Sequence, residues 1–323
     1  MNNYSLNVAI IFFNRPDTLQ KVFNQIRIAK PNKLFLIQDG PRIDNELDNL
    51  KILKCRQVFD NIDWECEVHK NYSEDNLGCG LRPYTGINWV FSIVNEAIFL
   101  EDDCVPNQEF FMFCKEMLIL YRNDLRIGLI TGTNHFNSYN FNDNSYGFVK
   151  SGSIWGWATW KNRWFKNDIN MLNFNDSYGR NLIFNGFKHK KIAKYRMNTW
   201  MNAKEKLITG KFSFWDYQWG YTRQYNSWLS IVPKNNMISN IGIGYDSTHS
   251  GKSINKIPKK IANLFFKSVD KSIYPIKHPL TVLCDNNYDY MYYRLIYPTL
   301  IETLFSKLKS IYRRFILIFR NPK

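Results

Sequence analysis

The chain has 323 residues, of which 45% are hydrophobic and 16% aromatic, so it can bury a sizeable core and global disorder is excluded. The formal net charge is +15, and residues 251–323 hold 14 Lys or Arg against 4 Asp or Glu, which predicts a polyanionic partner for this part. No stretch approaches the roughly 18 consecutive apolar residues of a spanning helix, so we do not expect an integral membrane protein.

The N-terminal segment lacks a basic stretch followed by a long apolar region, so no classical secretion signal is predicted. The six cysteines form no C-x-x-C pair and stand at no zinc-finger spacing with histidine. They are typical of reduced, mostly buried thiols in a cytosolic protein, and we therefore expect a cytoplasmic location.

Three early segments have the length and the pattern of strands, namely residues 8–13, 34–37 and 65–69. Apolar residues at helical spacing follow the first two, and Asp17 is expected to cap the first helix. This alternation indicates an α/β fold with a mostly parallel central sheet, in which ligands bind at the carboxyl ends of the strands. Asp17, Asp39 and the acids at 101–103 are therefore predicted to share one rim.

An apolar run at residues 97–100 leads directly into Glu101, Asp102 and Asp103. Adjacent carboxylates repel one another unless a cation or a cluster of donors neutralises them. Oxygen ligands favour a hard divalent ion, so the triplet predicts a site for Mn²⁺ or Mg²⁺. A solvated acidic turn at a strand end is the alternative that the triplet alone leaves open.

A glycine-bearing segment lies about twenty residues before the triplet. Gly78 and Gly80 would let the backbone approach a ligand closely, and Arg82 offers a bidentate fork for a phosphate. We expect this segment to be a loop that precedes a helix at about residues 85–95. A Gly-x-Gly pair is a weak signal alone, but the nearby acids favour a phosphate-binding role.

Two aromatic blocks follow, at residues 155–160 and 214–219. Tryptophans at this density are mostly core residues because an indole buries a large area, although sugar rings also stack on indole faces. Asp216 stands between Trp215 and Tyr217, a setting that suits a proton acceptor. The blocks therefore fit either a core or a sugar-binding surface.

Apolar residues recur at helical spacing through the C-terminal tail, with Lys and Arg at the remaining positions. This pattern predicts an amphipathic helix at about residues 299–320 that lies on an anionic membrane, where each basic residue adds about 1 kcal/mol. Packing on the protein's own core and a dimer interface formed by the tail are the alternatives. Nucleic acid is less favoured, because no nucleic-acid-binding module is recognisable.

Together and in this order, these motifs resemble those of bacterial GT-A glycosyltransferases. The likeness spans about residues 7–250 and is carried by residues 8–17, 76–104, 154–160, 215–219, 231–233 and 239–242. Within that fold the chain is similar to the group related to eukaryotic N-acetylglucosaminyltransferase I, whose metal motif is also Glu-Asp-Asp. The resemblance implies a GT-A, Rossmann-like sheet.

The resemblance also implies a metal-dependent, inverting hexosyl- or N-acetylhexosaminyltransferase. Its donor would be a nucleotide-diphosphate sugar, with UDP favoured, and its acceptor a hydroxyl of a glycan or a lipid-linked acceptor. We expect it to act in bacterial surface polysaccharide assembly, peripherally on the inner face of the cytoplasmic membrane. The transferase domain would span residues 1–250, with donor-binding residues 1–131 and acceptor-binding residues 132–250, and residues 251–323 would form a basic helical extension.

Individual residues acquire roles from the same resemblance. Asp103 would be the direct metal ligand, His249 a further contact to the metal or the donor phosphate, and Asp216 the general base. The other roles are donor binding by Asn14, Arg15, Asp39, Gly78, Arg82, Glu101 and Asp102, and acceptor binding by Trp157, Trp215 and Tyr217.

Other functions stay open at the level of sequence. A non-catalytic carbohydrate- or membrane-binding adaptor could keep this fold without turnover. A nucleotidylyltransferase shares a similar sheet, but it needs a glycine- and lysine-rich loop directly after the first strand, where this chain has Asn14, Arg15, Pro16 and Asp17. Nucleic-acid binding is suggested by the net charge alone.

Overall fold

The structure is a computed structural model that describes residues 5–210, 212–243, 259–269 and 271–297. Its strands, in chain order, are β1 (Asn7–Phe12), β2 (Lys33–Gln38), β3 (Glu67–Tyr72), β4 (Glu96–Glu101), β5 (Cys104–Pro106), β6 (Ile127–Thr131), β7 (Tyr146–Val149), β8 (Trp157–Trp160), β9 (Leu229–Pro233) and β10 (Ile238–Asn240). Its α-helices are α1 (Pro16–Ala29), α2 (Leu47–Gln57), α3 (Gly78–Ile93), α4 (Gln108–Leu120), α5 (Lys161–Trp164), α6 (Ser177–Asn185), α7 (Lys190–Ile208), α8 (Asp216–Tyr225), α9 (Lys259–Ala262) and α10 (Asn286–Ile296).

The central sheet has eight strands in the order β3-β2-β1-β4-β8-β6-β9-β7. Strands β3, β2, β1 and β4 pair in parallel, as do β6 and β9, whereas β8 and β7 run antiparallel to their neighbours. Strands β5 and β10 form a separate antiparallel pair. The sheet is thus mostly parallel and flanked by helices, which confirms the predicted α/β class.

Strand β1 shows why the sheet is covered on both faces. Its side chains alternate between two hydrophobic clusters. Val8, Ile10 and Phe12 pack with α1, α2 and α4, whereas Ala9 and Ile11 pack with α3 and α8. Because both faces are buried, the run is apolar throughout instead of alternating with polar residues.

Three element boundaries differ from the sequence expectation. Arg15 is the N-cap of α1 and Pro16 its first residue, so Asp17 lies in the first turn and does not cap the helix. Proline suits that position because the first helical N–H has no intrahelical partner. Strand β3 begins at Glu67, and α3 begins at Gly78, where φ is +76°, so most of the expected loop is helical.

The described part of the predicted C-terminal extension packs on the main core. Ile273 joins the cluster beneath β1, and Tyr288 and Tyr293 of α10 join two others. Residue 250 is therefore not the end of the packed domain. The helix predicted at residues 299–320 lies outside the described residues. Within the ranges given above, the structure contains no helix long and apolar enough to cross a membrane.

Asp289 connects α10 to the sheet. Its buried carboxylate accepts hydrogen bonds from the backbone N–H groups of Lys150 and Ser151, both at 2.8 Å. We expect Asp289→Ala to lower the free energy of unfolding by about 2–4 kcal/mol, because two buried donors would lose a charged acceptor. Urea denaturation measures this. Asn287→Ala, an exposed change on the same helix, is the control, and an equally small loss in both variants would contradict the docking of α10.

Candidate functional site

The predicted acids meet where β1, β2 and β4 end. Asp39 follows β2 and donates its backbone N–H to the Phe12 carbonyl at 3.3 Å, and the Asp102 N–H reaches the Ile11 carbonyl at 3.1 Å. Burial, followed by the charges of Glu101, Asp216 and Asp39, raises the pKa of the Cys79 thiol at the start of α3. Three carboxylates from different parts of the chain therefore lie near enough to the start of α3 for their charges to act on this thiol.

The acidic triplet carries more negative charge than its surroundings accommodate. Asp102 is only 2% exposed, and burial raises its pKa to about 6 although Arg15 opposes the change. Burial and the charges of Asp103 and Asp102 raise the pKa of Glu101 to about 8. A bound cation would relieve this repulsion, as the sequence predicted.

Arg15 is the cation that the protein itself supplies to the triplet. Its Nη2 donates to Asp102 Oδ1 and, at 2.9 Å, to Asp103 Oδ2. The guanidinium is thus bound to the acidic cluster, whereas the sequence predicted a separate contact with the nucleotide sugar. One positive charge against three carboxylates still leaves an excess of negative charge, which is what a divalent ion could neutralise.

The side chains present fit the predicted ion. Ligand atoms of Glu101, Asp103 and Cys104 lie within 4.8 Å of one another, the one such cluster found in the described ranges. Burial raises the pKa of the Cys104 thiol well above its ordinary value, and the thiol donates to Asp103 Oδ1 at 3.4 Å. A protonated thiol is a poor ligand, so the donor set is carboxylate oxygen, which suits Mn²⁺ or Mg²⁺.

The second, smaller sheet fixes the position of Asp103. The backbone N–H of Ile241 donates to the Asp103 carbonyl at 2.8 Å, and Asn240 Nδ2 approaches Asp103 Oδ1 at 3.4 Å. A Cβ atom on Gly242 would lie 2.1 Å from Asp103 Oδ2, so only glycine fits there while the carboxylate keeps this position. His249, the other predicted metal contact, lies outside the described residues.

Asp39 holds the start of α3. Its carboxylate accepts hydrogen bonds from the backbone N–H groups of Leu77 and Gly78, both at 2.8 Å, and from Gly40 and Asn76. Burial nevertheless raises its pKa. Four hydrogen-bond donors occupy this carboxylate, so in this structure it positions the helix and is not free for the predicted binding of the sugar donor.

Arg82 is buried, and two of its three guanidinium nitrogens donate hydrogen bonds within the protein. Its Nε donates to the Gln38 carbonyl at 3.0 Å, and its Nη2 donates to the backbone and side chain of Asn71. The guanidinium therefore ties α3 to the ends of β2 and β3. It is not the exposed phosphate fork that the sequence predicted, because the segment is helical and directs Arg82 into the core.

Asn14 belongs to a polar network that the sequence did not reveal. Its Nδ2 donates to Asp48 Oδ1 at 2.7 Å, and Asp48 also pairs with Arg42. The Arg42 guanidinium lowers the pKa of Asp48. Asp48 stands in the first turn of α2, where an acidic residue looks like an ordinary exposed side chain, so nothing in the sequence pattern marked it.

Trp157 and Trp215 are core residues. They are 1% and 3% exposed, and their rings stack at 5.7 Å between centroids, with Phe99 on Trp157 at 4.8 Å. No open indole face remains for a sugar, so the predicted acceptor role is wrong for this pair in the present geometry. Tyr217 is half-buried and its ring contacts that of Phe214. Asp216, also half-buried, is the first residue of α8, and its charge contributes to the raised pKa of Glu101.

Comparisons with known proteins assign no family to the chain. No protein-family model matches it, and neither does any curated protein. Similar solved structures include HddC from Yersinia pseudotuberculosis complexed with GMP-PN, at 9% identity and TM-score 0.31, covering 49% of this chain and 78% of that one. Another is apo UDP-glucose pyrophosphorylase, at 10% identity and TM-score 0.35, covering 73% and 93%. At these values the likeness assigns neither a family nor an activity.

Metal binding should change how stability depends on pH. The pKa of Glu101 is raised from 4.5 to about 8, so its contribution to stability is present below pH 4.5 and lost as the pH rises through 8. We therefore expect Mn²⁺ to raise the melting temperature more at pH 8 than at pH 5.5, because the ion then replaces a missing proton. Calorimetry with and without Mn²⁺ tests this.

The control for this experiment is Glu101→Gln, which removes the titrating group while keeping its shape. This variant should show a smaller difference between the two pH values. An increase in melting temperature from Mn²⁺ that is the same at both pH values in the unmodified protein would contradict the assignment of the ion to this cluster.

Proposed function

We propose that the protein is a metal-dependent, inverting GT-A glycosyltransferase that transfers a sugar from a nucleotide-diphosphate donor to an acceptor hydroxyl. The observation that carries the proposal is the Glu101–Asp103 triplet at the carboxyl edge of a mostly parallel sheet, with Asp216 at the start of α8 near enough for its charge to raise the pKa of Glu101. The two groups have the two chemistries that glycosyl transfer needs, namely stabilisation of a leaving diphosphate and removal of a proton.

On the donor side, Asp103 and Glu101 would hold the divalent ion, and the ion would neutralise the leaving diphosphate. Arg15 bridges Asp102 and Asp103, so it holds both carboxylates in place. Gly78, at the start of α3, leaves its Cα side open, since no described atom lies within 4 Å of a Cβ built there. A nucleotide sugar could therefore approach the backbone closely at this glycine, beside the N–H groups of Leu77 and Gly78 that donate to Asp39.

On the acceptor side, Asp216 would take the proton from the attacking hydroxyl. It is the first residue of α8, where the helix dipole favours a negative charge. General-base catalysis of this kind contributes about 10²–10⁴-fold. Of the three aromatic residues that the sequence predicted to bind the acceptor, we propose only the adjacent, half-buried Tyr217 as an acceptor contact. A hydroxyl attacking in line opposite the leaving group would invert the anomeric centre.

The cellular part of the proposal rests on the sequence. We infer a UDP-sugar donor, a glycan or lipid-linked acceptor and a role in bacterial surface polysaccharide assembly from the motifs described above. The basic segment at residues 299–320 would hold the enzyme on the inner face of the cytoplasmic membrane, or serve as an oligomer contact. Its charge and apolar spacing support this placement.

The proposal is tested by separating donor binding from transfer. A panel of nucleotide sugars with Mn²⁺ identifies the donor by calorimetry, and hydrolysis or transfer is then followed by release of the nucleotide. Asp216→Asn should lower turnover at least about 100-fold and leave donor affinity unchanged, because the carboxylate acts on the acceptor. Asp60→Asn, at an exposed carboxylate, is the matched control.

Other outcomes would redirect the assignment. Loss of donor affinity in Asp216→Asn would contradict the role of general base. Donor binding without turnover for any acceptor would favour the adaptor. Formation of a nucleoside triphosphate from pyrophosphate would indicate a nucleotidylyltransferase, although only Phe13, Asn14 and Arg15 separate β1 from α1 and leave no room for the glycine- and lysine-rich loop of that class.

A further inference from the structure

A groove of about 460 Å³ lies between α6 and the C-terminal end of α8. Lys150, which directly follows β7, forms part of its wall. The volume falls within the roughly 300–1,000 Å³ that is typical of small-molecule sites. We call it the α6 groove and define it by Lys150, Asp176, Tyr178, Leu182, Gln224 and Tyr225.

The wall that α6 contributes to the groove is apolar and accessible. Tyr178 is 71% exposed, and Leu182, one helical turn later on the same face, is 54% exposed. An aromatic ring beside a leucine offers a surface against which the C–H face of a sugar ring can pack. Both side chains are open to solvent, so a ligand in the groove can reach them.

The other side chains that define the groove are polar and keep unused hydrogen-bonding capacity. Asp176 Oδ2 accepts from the Tyr225 hydroxyl at 3.1 Å. Lys150 Nζ donates to the Gly186 carbonyl at 2.9 Å and has two further N–H groups. Gln224 Nε2 donates to the Lys150 carbonyl at 2.8 Å, which leaves its amide oxygen as an acceptor. The four side chains that define this polar part are half-buried, so part of each is open to a ligand.

The charge of the α6 groove favours an uncharged ligand. Among the described residues that line it, Lys150 is the one Lys or Arg and Asp176 the one carboxylate, so their charges cancel. A nucleotide or a phosphate would find no excess of positive charge there. A sugar hydroxyl both donates and accepts hydrogen bonds, which matches the mixture of donors and acceptors in the lining.

We propose that the α6 groove binds a neutral glycan segment at a distance from the reacting hydroxyl. Helix α8 extends from Asp216 to Tyr225, about 14 Å along its axis, so a sugar in the groove is not the one that reacts at Asp216. The inference rests on the proposed function for the source of the glycan, which is a remote part of the acceptor. A second contact of this kind raises the effective concentration of the acceptor at the reaction centre.

Direct binding to the full chain tests the groove without any transfer reaction. The probes are three neutral hexasaccharides, namely maltohexaose, cellohexaose and N-acetylchitohexaose. Ligand-observed NMR at millimolar concentration detects weak binding, and calorimetry gives the affinity. We expect at least one hexasaccharide to bind without Mn²⁺ or nucleotide, because the groove is separate from the acidic rim.

Substitutions on α6 address the apolar wall. Tyr178→Ala removes the exposed ring and should weaken binding of the preferred hexasaccharide at least about fivefold, whereas Tyr178→Phe keeps the ring and should restore most of the affinity. Leu182→Glu places a charge beside the ring and should also weaken binding. Leu125→Ala, at a side chain that is 65% exposed and outside the groove, is the control. All four changes are at exposed positions, so the melting temperature should change little.

The transfer assay of the proposed function provides a second measurement. Tyr178→Ala should raise KM for an oligosaccharide acceptor while leaving kcat unchanged, because the groove binds a part of the acceptor that does not react. KM for a monosaccharide acceptor should stay the same in this variant. An equal rise in KM for both acceptors would contradict a remote glycan contact.

The proposal is overturned if none of the three hexasaccharides binds, or if Tyr178→Ala binds as well as Leu125→Ala. Its failure is distinct from that of the proposed function. Nucleotide-sugar binding and transfer without hexasaccharide binding would remove the glycan site and keep the glycosyltransferase. Hexasaccharide binding that depends on Tyr178, without any nucleotide-sugar binding, would keep the glycan site and remove the glycosyltransferase.

Discussion

Repulsion among the carboxylates at the end of β4 is the constraint on which the site depends. Strand β4 is buried between β1 and β8, so the acids that follow it are held at the rim and cannot separate into solvent. The protein offsets part of this charge with Arg15 and fixes Asp103 with the Asn240–Gly242 segment. The remaining negative charge favours the binding of a cation at this rim.

Much of the polar sequence around the rim holds the rim together instead of facing a ligand. Asp39 and Arg82 both lie at the interface of α3 with β2, one through backbone N–H groups and the other through backbone carbonyls. Asn14 supports the turn after β1 through Asp48. Because these groups already have partners within the protein, the chemistry of the proposed function falls to Glu101, Asp103 and Asp216.

The sequence revealed the features that depend on local pattern. The apolar run of β4 and its three acids were evident because the sequence changes abruptly from apolar to acidic residues. The alternation of strands and helices indicated the sheet. Side-chain partners were not evident. Arg82 turns inward because α3 starts at Gly78. Trp157 of β8 and Trp215 at the start of α8 fill the core on one face of the sheet. The domain boundary expected at residue 250 was inferred from the basic composition of the segment that follows, whereas core packing continues into α10.

The central claim is that Asp103 binds a divalent ion that also contacts a nucleotide diphosphate. Electron paramagnetic resonance of Mn²⁺ with the full chain tests it most directly, because the spectrum reports free ion, bound ion and a change of ligand. We expect one bound Mn²⁺ that is lost in Asp103→Asn and whose signal changes when a nucleotide diphosphate is added. Binding that persists in Asp103→Asn, or a spectrum that the nucleotide leaves unchanged, would contradict it.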